Sequence, residues 1–168
     1  MIRLEKFDAA FYPQLIDSIK DARELMQFAG PEFTFPLTEE QIAKSLSDSN
    51  RIAFRVVTIS DGSTIGHCEI CFKDEFANLG RILIMDQTIR GKGIGKQIVT
   101  LLLEFILENS KHRNVELNVF DFNIGAIKCY EKIGFVINPD KKFVREMDDE
   151  TWTALNMKLD LDNWIRKD

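Results

Sequence analysis

The sequence predicts an α+β fold, a mixed and mostly antiparallel central sheet flanked by helices, built as one domain over residues 1–168. Three observations lead there. Arg51–Ile59 and Thr64–Phe72 are rich in β-branched and aromatic residues and flank the turn Ser60-Asp61-Gly62-Ser63, the pattern of an antiparallel hairpin. Downstream, a strand, a glycine loop, a helix, a strand, a second helix and a last pair of strands follow in order. With 168 residues and 45% apolar composition, the chain fills one core and is too short for two comfortable domains.

Ile2–Lys6 reads as a short opening strand, and Phe11–Phe28 as one amphipathic helix carrying Leu15, Ile16, Ile19, Leu25 and Met26 at near-helical spacing. The stretch FAGPEFTFPLT ends that helix, and Thr38-Glu39-Glu40-Gln41 matches a capping box that opens the next. Leu79–Met85 is a strand leading straight into the glycine loop. After the loop, Ile94, Ile98, Leu101, Leu102, Phe105 and Ile106 form one face of a helix. Val115–Phe120 is a strand and Asn123–Lys132 a helix stopped by Gly134. Phe135–Asn138 and Trp152–Leu159 are the final strands.

Composition narrows the function. A net charge of −5 and a pI near 5.2 exclude a general nucleic-acid binder, which needs a basic face. No apolar run approaches the roughly 18 to 20 residues of a membrane span, and MIRLEKFDAA lacks the design of a signal peptide, so a cytoplasmic protein without a membrane partner is expected. Three cysteines, an odd number, speak for a reducing compartment. Cys68 and Cys71 form a C-x-x-C, but in a strand positions three apart face opposite sides, and no second ligand pair stands among His67 and His112. No metal site is expected.

The segment QTIRGKGIGKQI interrupts this acidic chain with a positive island: Arg90, Lys92 and Lys96 fall within seven positions, and no acid occurs from Gln87 to Leu103. It is not a Walker loop, because Gly95-Lys96 is followed by Gln97 and position 90 is arginine. Gly91, Gly93 and Gly95 give G-x-G-x-G, close to the dinucleotide fingerprint, and Asp121 could imitate its ribose-binding acid. The antiparallel hairpin upstream and the short remainder of chain do not suit a doubly wound sheet. The remaining reading is a pyrophosphate held on backbone amides at a helix N-terminus, helped by the three cations.

Two ordered motifs resemble the GCN5-related N-acetyltransferase family. Arg90-Gly91-Lys92-Gly93-Ile94-Gly95 matches that family's R/Q-x-x-G-x-G/A loop. Asn118 to Phe135, NVFDFNIGAIKCYEKIGF, resembles its segment V-x-x-x-N-x-x-A-I-x-x-Y-x-K-x-G-F. The resemblance implies the acyl-coenzyme A N-acyltransferase fold and acetyl-coenzyme A as co-substrate, its pyrophosphate wrapped by residues 90–95 with Lys96 close by. It further implies that Ile84 and Met85 on a splayed strand pair with the pantetheine arm, that Asn123 bonds the arm, and that Tyr130 protonates the departing thiolate. Direct transfer to a primary amine follows from the same resemblance.

A departure accompanies it. Position 118 is Asn, where family members acting on protein N-termini carry a glutamate taken to be the base. Glu69, read as an exposed strand carboxylate, and Asp86, at the end of the splayed strand, are then the candidate bases. The acceptor is expected to meet FAGPEFTFPL, with Phe28, Phe33 and Phe35, and the REMDDE turn, whose Asp148, Asp149 and Glu150 could attract a cation. The tryptophan-containing, polar last hairpin is similar to the ribosomal-protein and spermidine acetyltransferase branch. Peptide N-terminus, polyamine and other small amines stay open as acceptors, and the chain is expected to be a monomer or homodimer. The alternatives are a non-catalytic acyl-coenzyme A sensor and a dinucleotide-binding oxidoreductase.

Overall fold

The computed structural model describes residues 1–164 of the chain. Its elements are β1 (Ile2–Lys6), α1 (Tyr12–Ser18), α2 (Ala22–Ala29), α3 (Glu39–Leu46), β2 (Arg51–Thr58), β3 (Thr64–Phe72), β4 (Ala77–Ile84), α4 (Ile94–Asn109), β5 (Asn114–Phe120), α5 (Ile124–Ile133), β6 (Val136–Met147) and β7 (Glu150–Asp160). The strands form one sheet in the order β1-β2-β3-β4-β5-β7-β6. Every pairing is antiparallel except β4 with β5, so the expected mixed, mostly antiparallel sheet forms. Among the described residues no helix is long and apolar enough to cross a membrane.

Strand alternation divides the core between the two faces of the sheet. On one face Cys68, Ile70, Leu79, Val115, Leu117 and Met157 meet Ile98, Val99, Leu102, Leu103 and Ile106 of α4. Each of these five α4 side chains is fully buried, which contributes about 1.5 to 3 kcal/mol apiece before entropy is counted. The buried stripe is wider than the sequence pattern indicates, because Val99 and Leu103 join it while Leu101 and Phe105 stay half-buried. On the other face α1, α2 and α3 pack Leu15, Leu25, Phe28 and Ile42 over Phe7 and Ala53.

Two boundaries differ from the sequence reading. The helix expected over Phe11–Phe28 is split, because Ile19 is extended and Asp21 starts α2 afresh. The Asp21 carboxylate accepts from Glu24 N at 2.8 Å, and the Glu24 carboxylate accepts from Lys20 N at 2.7 Å, a reciprocal cap that favours a new start over continuation. The strand expected to end at Asn138 runs on to Met147. A shift of register between Ile137 and Lys142 carries it past Pro139, and the charged run that reads as loop is the solvent-facing side of β6. The capping box stands as expected, with Thr38 Oγ1 accepting from Gln41 N at 3.3 Å.

Gly66 on β3 marks where backbones come closest. A Cβ there would lie 2.4 Å from the Leu83 carbonyl oxygen of β4. Gly66→Ala is expected to lower the stability by about 2 kcal/mol, read as a lower urea midpoint at unchanged slope.

Candidate active site

The site begins where the sheet comes apart. β4 and β5 are paired only at Ala77–Val115, Asn78–Glu116 and Leu79–Leu117, and beyond these the parallel strands diverge. On β4, Arg81 and Ile82 both fall between the pairs His67–Leu83 and Glu69–Gly80, so two residues oppose Cys68. Arg81 takes φ +50 to make this bulge, which bends β4 away from β5. From Gly80 to Ile84 the edge of β4 facing β5 therefore lacks a strand partner. A cavity of about 290 Å³ fills the gap, with Gly80, Ile82, Asn118, Asn123 and Tyr130 in its walls.

The glycine loop follows the open edge. Gly91 and Gly93 have φ +78 and +83, values that side-chain-bearing residues rarely adopt. A Cβ at either would meet nothing within 4 Å, so open space lies beside both residues. Gly93 is the N-cap of the 16-residue α4, and no side chain bonds the helix's first amides, which leaves them for an anion. Lys92 and Lys96 are exposed. Arg90 is exposed as well, but its guanidinium is engaged: its Nε and one terminal nitrogen donate to the Ile84 carbonyl at 3.1 and 2.8 Å, tying the loop to the open edge. Met85 donates its amide to Ile65 O on β3. This cradle fits a pyrophosphate with an extended arm attached.

α5 stands on the same side. Asn123 caps it, its Oδ1 accepting from Ala126 N at 3.3 Å, which leaves the amide nitrogen for the cleft. Tyr130 is half-buried with its ring edge-on to Phe135, and its hydroxyl has no partner among the described residues. Burial pushes the Tyr130 phenol above its usual range, so it remains a proton donor. Asn118 lies on the opposite face of the sheet, accepting from Asn156 at 2.9 Å. The cleft thus passes through the sheet, with the glycine loop, Asn123 and Tyr130 on the α4 and α5 side.

Neither carboxylate proposed as a base is well placed. Glu69 is not exposed as its strand position suggests; it is 3% accessible and surrounded by donors. His67 Nε2 donates to it at 3.0 Å, Arg51 at 2.8 Å and Arg81 at 3.2 Å. Burial alone would raise its pKa, but the His67 hydrogen bond, the Arg81 charge and the Arg51 hydrogen bond outweigh it and hold the group at about 2. A carboxylate so stabilised is a poor proton acceptor. Asp86 caps the 3-10 turn Gln87–Ile89, accepting from Thr88 N at 2.8 Å and Thr88 Oγ1 at 2.7 Å, and those bonds hold its pKa low. It does not line the cleft.

The other side of the cleft, where the sequence reading expects the acceptor, is roofed by residues 27–32, from α2 and the turn after it, and floored by Arg51, Cys71, Lys73, Asn78, Arg81, Phe143 and Arg145. Of the aromatics expected here, Phe28 lines the cavity while packing edge-on to His67 at 5.8 Å, Phe33 lies beneath the Arg81 guanidinium at 4.1 Å, and Phe35 is exposed. Asp148 and Glu150 are occupied by Arg23, at 3.4 and 2.8 Å, and Arg23 also lies 4.9 Å from the Trp152 ring. This contact fastens α2 to the β6–β7 turn. Cys68 points into the α4 core and Cys71 into the cleft, on opposite faces. Among the described residues no group of three or more His, Cys, Asp or Glu gathers where it could hold a metal ion.

Sequence reasoning missed the basic floor. The signal was present, since Arg81 interrupts the apolar run LGRILI and Glu69 interrupts HCEICF, and opposite charges inside neighbouring apolar strands indicate a buried pair.

The sequence model of the Acetyltransferase (GNAT) family matches residues 19–135 of the chain. The spermine/spermidine N(1)-acetyltransferase of Bacillus subtilis (strain 168) is 32% identical over 74 residues, 42% of this chain and 49% of that protein. The chain thus spans about half the length of the curated relatives it matches. Among solved structures, a spermidine N-acetyltransferase from Vibrio cholerae in complex with CoA and spermine superposes with a TM-score of 0.77 at 20% identity, over 96% of both chains. An aminoglycoside acetyltransferase, AAC(6')-Ib, in complex with coenzyme A superposes at 0.73 and 18% identity, over 95% of both. At these identities the superpositions establish the shared fold.

The Glu69 cluster also sets an acid limit. A folded pKa of about 2 against an ordinary 4.5 means that the unfolded chain binds the proton first, so this stabilisation is complete above pH 4.5 and fades as pH falls towards 2. The contribution is on the order of 3 kcal/mol. Glu69→Gln is expected to lower the midpoint of urea unfolding at pH 7 and to flatten its dependence on pH between 4.5 and 2.

Proposed function

The chain belongs to the acetyltransferase (GNAT) family, and from that membership we propose that it moves the acetyl group of acetyl-coenzyme A directly to the primary amine of a small acceptor. The observation that carries the reading is the unpaired edge of β4, lying between a glycine cradle and the hydroxyl of Tyr130. The relatives' names support an amine acceptor, and the CoA complexes of the structural neighbours support the co-substrate. The dinucleotide reading is disfavoured by a sheet that is antiparallel at every pairing but one.

Acetyl-coenzyme A supplies an activated acyl carbon as its thioester. The amides of residues 91–95, with Lys92 and Lys96, would hold the pyrophosphate, and the β4 edge with Asn123 would hold the arm. As the new C–N bond forms, the C–S bond breaks and the thiolate takes a proton. Tyr130, kept protonated by burial, donates it. The amine loses its proton to water in the cleft, since position 118 is an amide and Glu69 is committed to its cluster.

Calorimetric titration with acetyl-coenzyme A, with NAD and ATP as controls, together with thiol release in the presence of amines, tests the reading. Selective binding with thiol release is expected; binding without release for any amine would instead identify a sensor. Gly93→Val is expected to weaken acetyl-coenzyme A binding at least tenfold, because the loop needs φ +83 and the space beside it. Tyr130→Phe is expected to leave that affinity within twofold while lowering kcat about 100-fold, and an unaltered kcat would remove Tyr130 from its role.

A further inference from the structure

This inference rests on the acetyl-transfer reading and concerns the amine entering from the α2 side. We infer that the acceptor carries an acidic group, a carboxylate or a phosphate, beside its amine, and that the cleft selects against polycations. Four basic side chains line the cavity, Arg51, Lys73, Arg81 and Arg145, and Glu32 is the one carboxylate among its lining residues. Glu69 lies buried behind them.

These two carboxylates account for Arg51 and Arg81. Glu69 bonds both, Glu32 bonds Arg81 and stands 3.5 Å from Arg51. Lys73 and Arg145 have no acidic partner among the described residues. Arg145 donates only to the Val144 carbonyl, at 3.0 Å, with its guanidinium 5.5 Å from the Phe143 ring, and Lys73 is exposed. The acids nearby lie outside that lining: Asp74 and Glu75 follow Lys73 in the chain, but both are exposed and Glu75 lines a separate cavity with Glu116, which is held by Lys141 and Asn156 at 3.0 and 3.1 Å. Glu146, next to Arg145 on β6, accepts from Thr151, and Asp148 and Glu150 share Arg23. Within the cavity lining itself two positive charges are therefore left over.

An acidic group on the acceptor would neutralise that surplus, whereas a second ammonium would add to it in a partly desolvated space. The surplus has a catalytic corollary. Nearby positive charge lowers the pKa of the attacking ammonium, raising the share of neutral amine in a site without a carboxylate at position 118.

The test is calorimetric titration of the full chain, saturated with coenzyme A, with four amines of similar size: β-alanine, O-phosphoethanolamine, propylamine and 1,3-diaminopropane. At least one of the two acids is expected to bind tenfold or more tighter than the diamine, with propylamine between; which acid leads separates carboxylate from phosphate. The double substitution Lys73→Glu and Arg145→Glu is expected to reverse that order and leave coenzyme A affinity within twofold. Should the double variant not fold, Lys73→Glu alone, at an exposed position, is expected to narrow the ratio at least threefold. A diamine that binds as tightly as both acids, an order unmoved by charge reversal, or no binding of either acid would overturn the proposal. Thiol release from acetyl-coenzyme A, measured in parallel, reports on transfer alone: acids that bind but are not acetylated would count against the acetyl-transfer reading while the charge preference stands.

Discussion

The arrangement depends on one buried ion cluster, the Glu69 carboxylate with the Arg81 and Arg51 guanidiniums. Arg81 sits in a left-handed conformation that a side-chain-bearing residue ordinarily avoids, and it stays there because its guanidinium is fixed at Glu69, Glu32 and Ser45. That conformation is the bulge, and the bulge turns β4 away from β5. Because Ser45 lies in the last turn of α3 and Glu32 follows α2, the same side chain ties the roof of the cleft to its floor. Removing one partner from such a cluster leaves an uncompensated buried charge, which is why it acts as a unit.

The opened sheet separates two tasks. The side covered by α4 and α5 offers uncommitted amides, an available asparagine nitrogen and a neutral phenol, all suited to an anionic carrier and a leaving sulfur. The side beneath α2 offers charged groups, most of them already paired. The two meet through the gap in the sheet; on the proposed reading, this lets an anionic carrier and an amine enter from opposite faces. The Arg23 contact to Asp148, Glu150 and Trp152 links α2 to the last hairpin, two of the elements that border that side of the cleft.

Much of this was legible in the sequence where local rules act alone. The glycine spacing foretold the loop because positive φ leaves glycine as the fitting residue, and Thr38 with Gln41 foretold a helix start because a cap is a local bond. The fold class followed from strand and helix periodicity, and the two motifs named the family that the comparison then established. What escaped depends on distant partners. Glu69 looked like a solvated carboxylate until Arg51 and Arg81 closed on it, and the base it was expected to supply went with its burial. The break between α1 and α2 was hidden by an apolar spacing that continues across it, and β6 by a charged run whose register shift no periodicity reveals.

That shift in β6 also bears on how the molecule behaves in a crowded solution. β6 is one of the sheet's two edge strands, and it exposes Val136, Ile137 and Val144, a combination that would template pairing with a neighbouring chain's edge. Pro139 removes a donor from that edge, the irregularity from Ile137 to Lys142 breaks the row of hydrogen-bonding groups, and Lys141 and Lys142 place charge in its midst. The segment that obscured the strand in the sequence is thus a gatekeeper against self-association of the sheet.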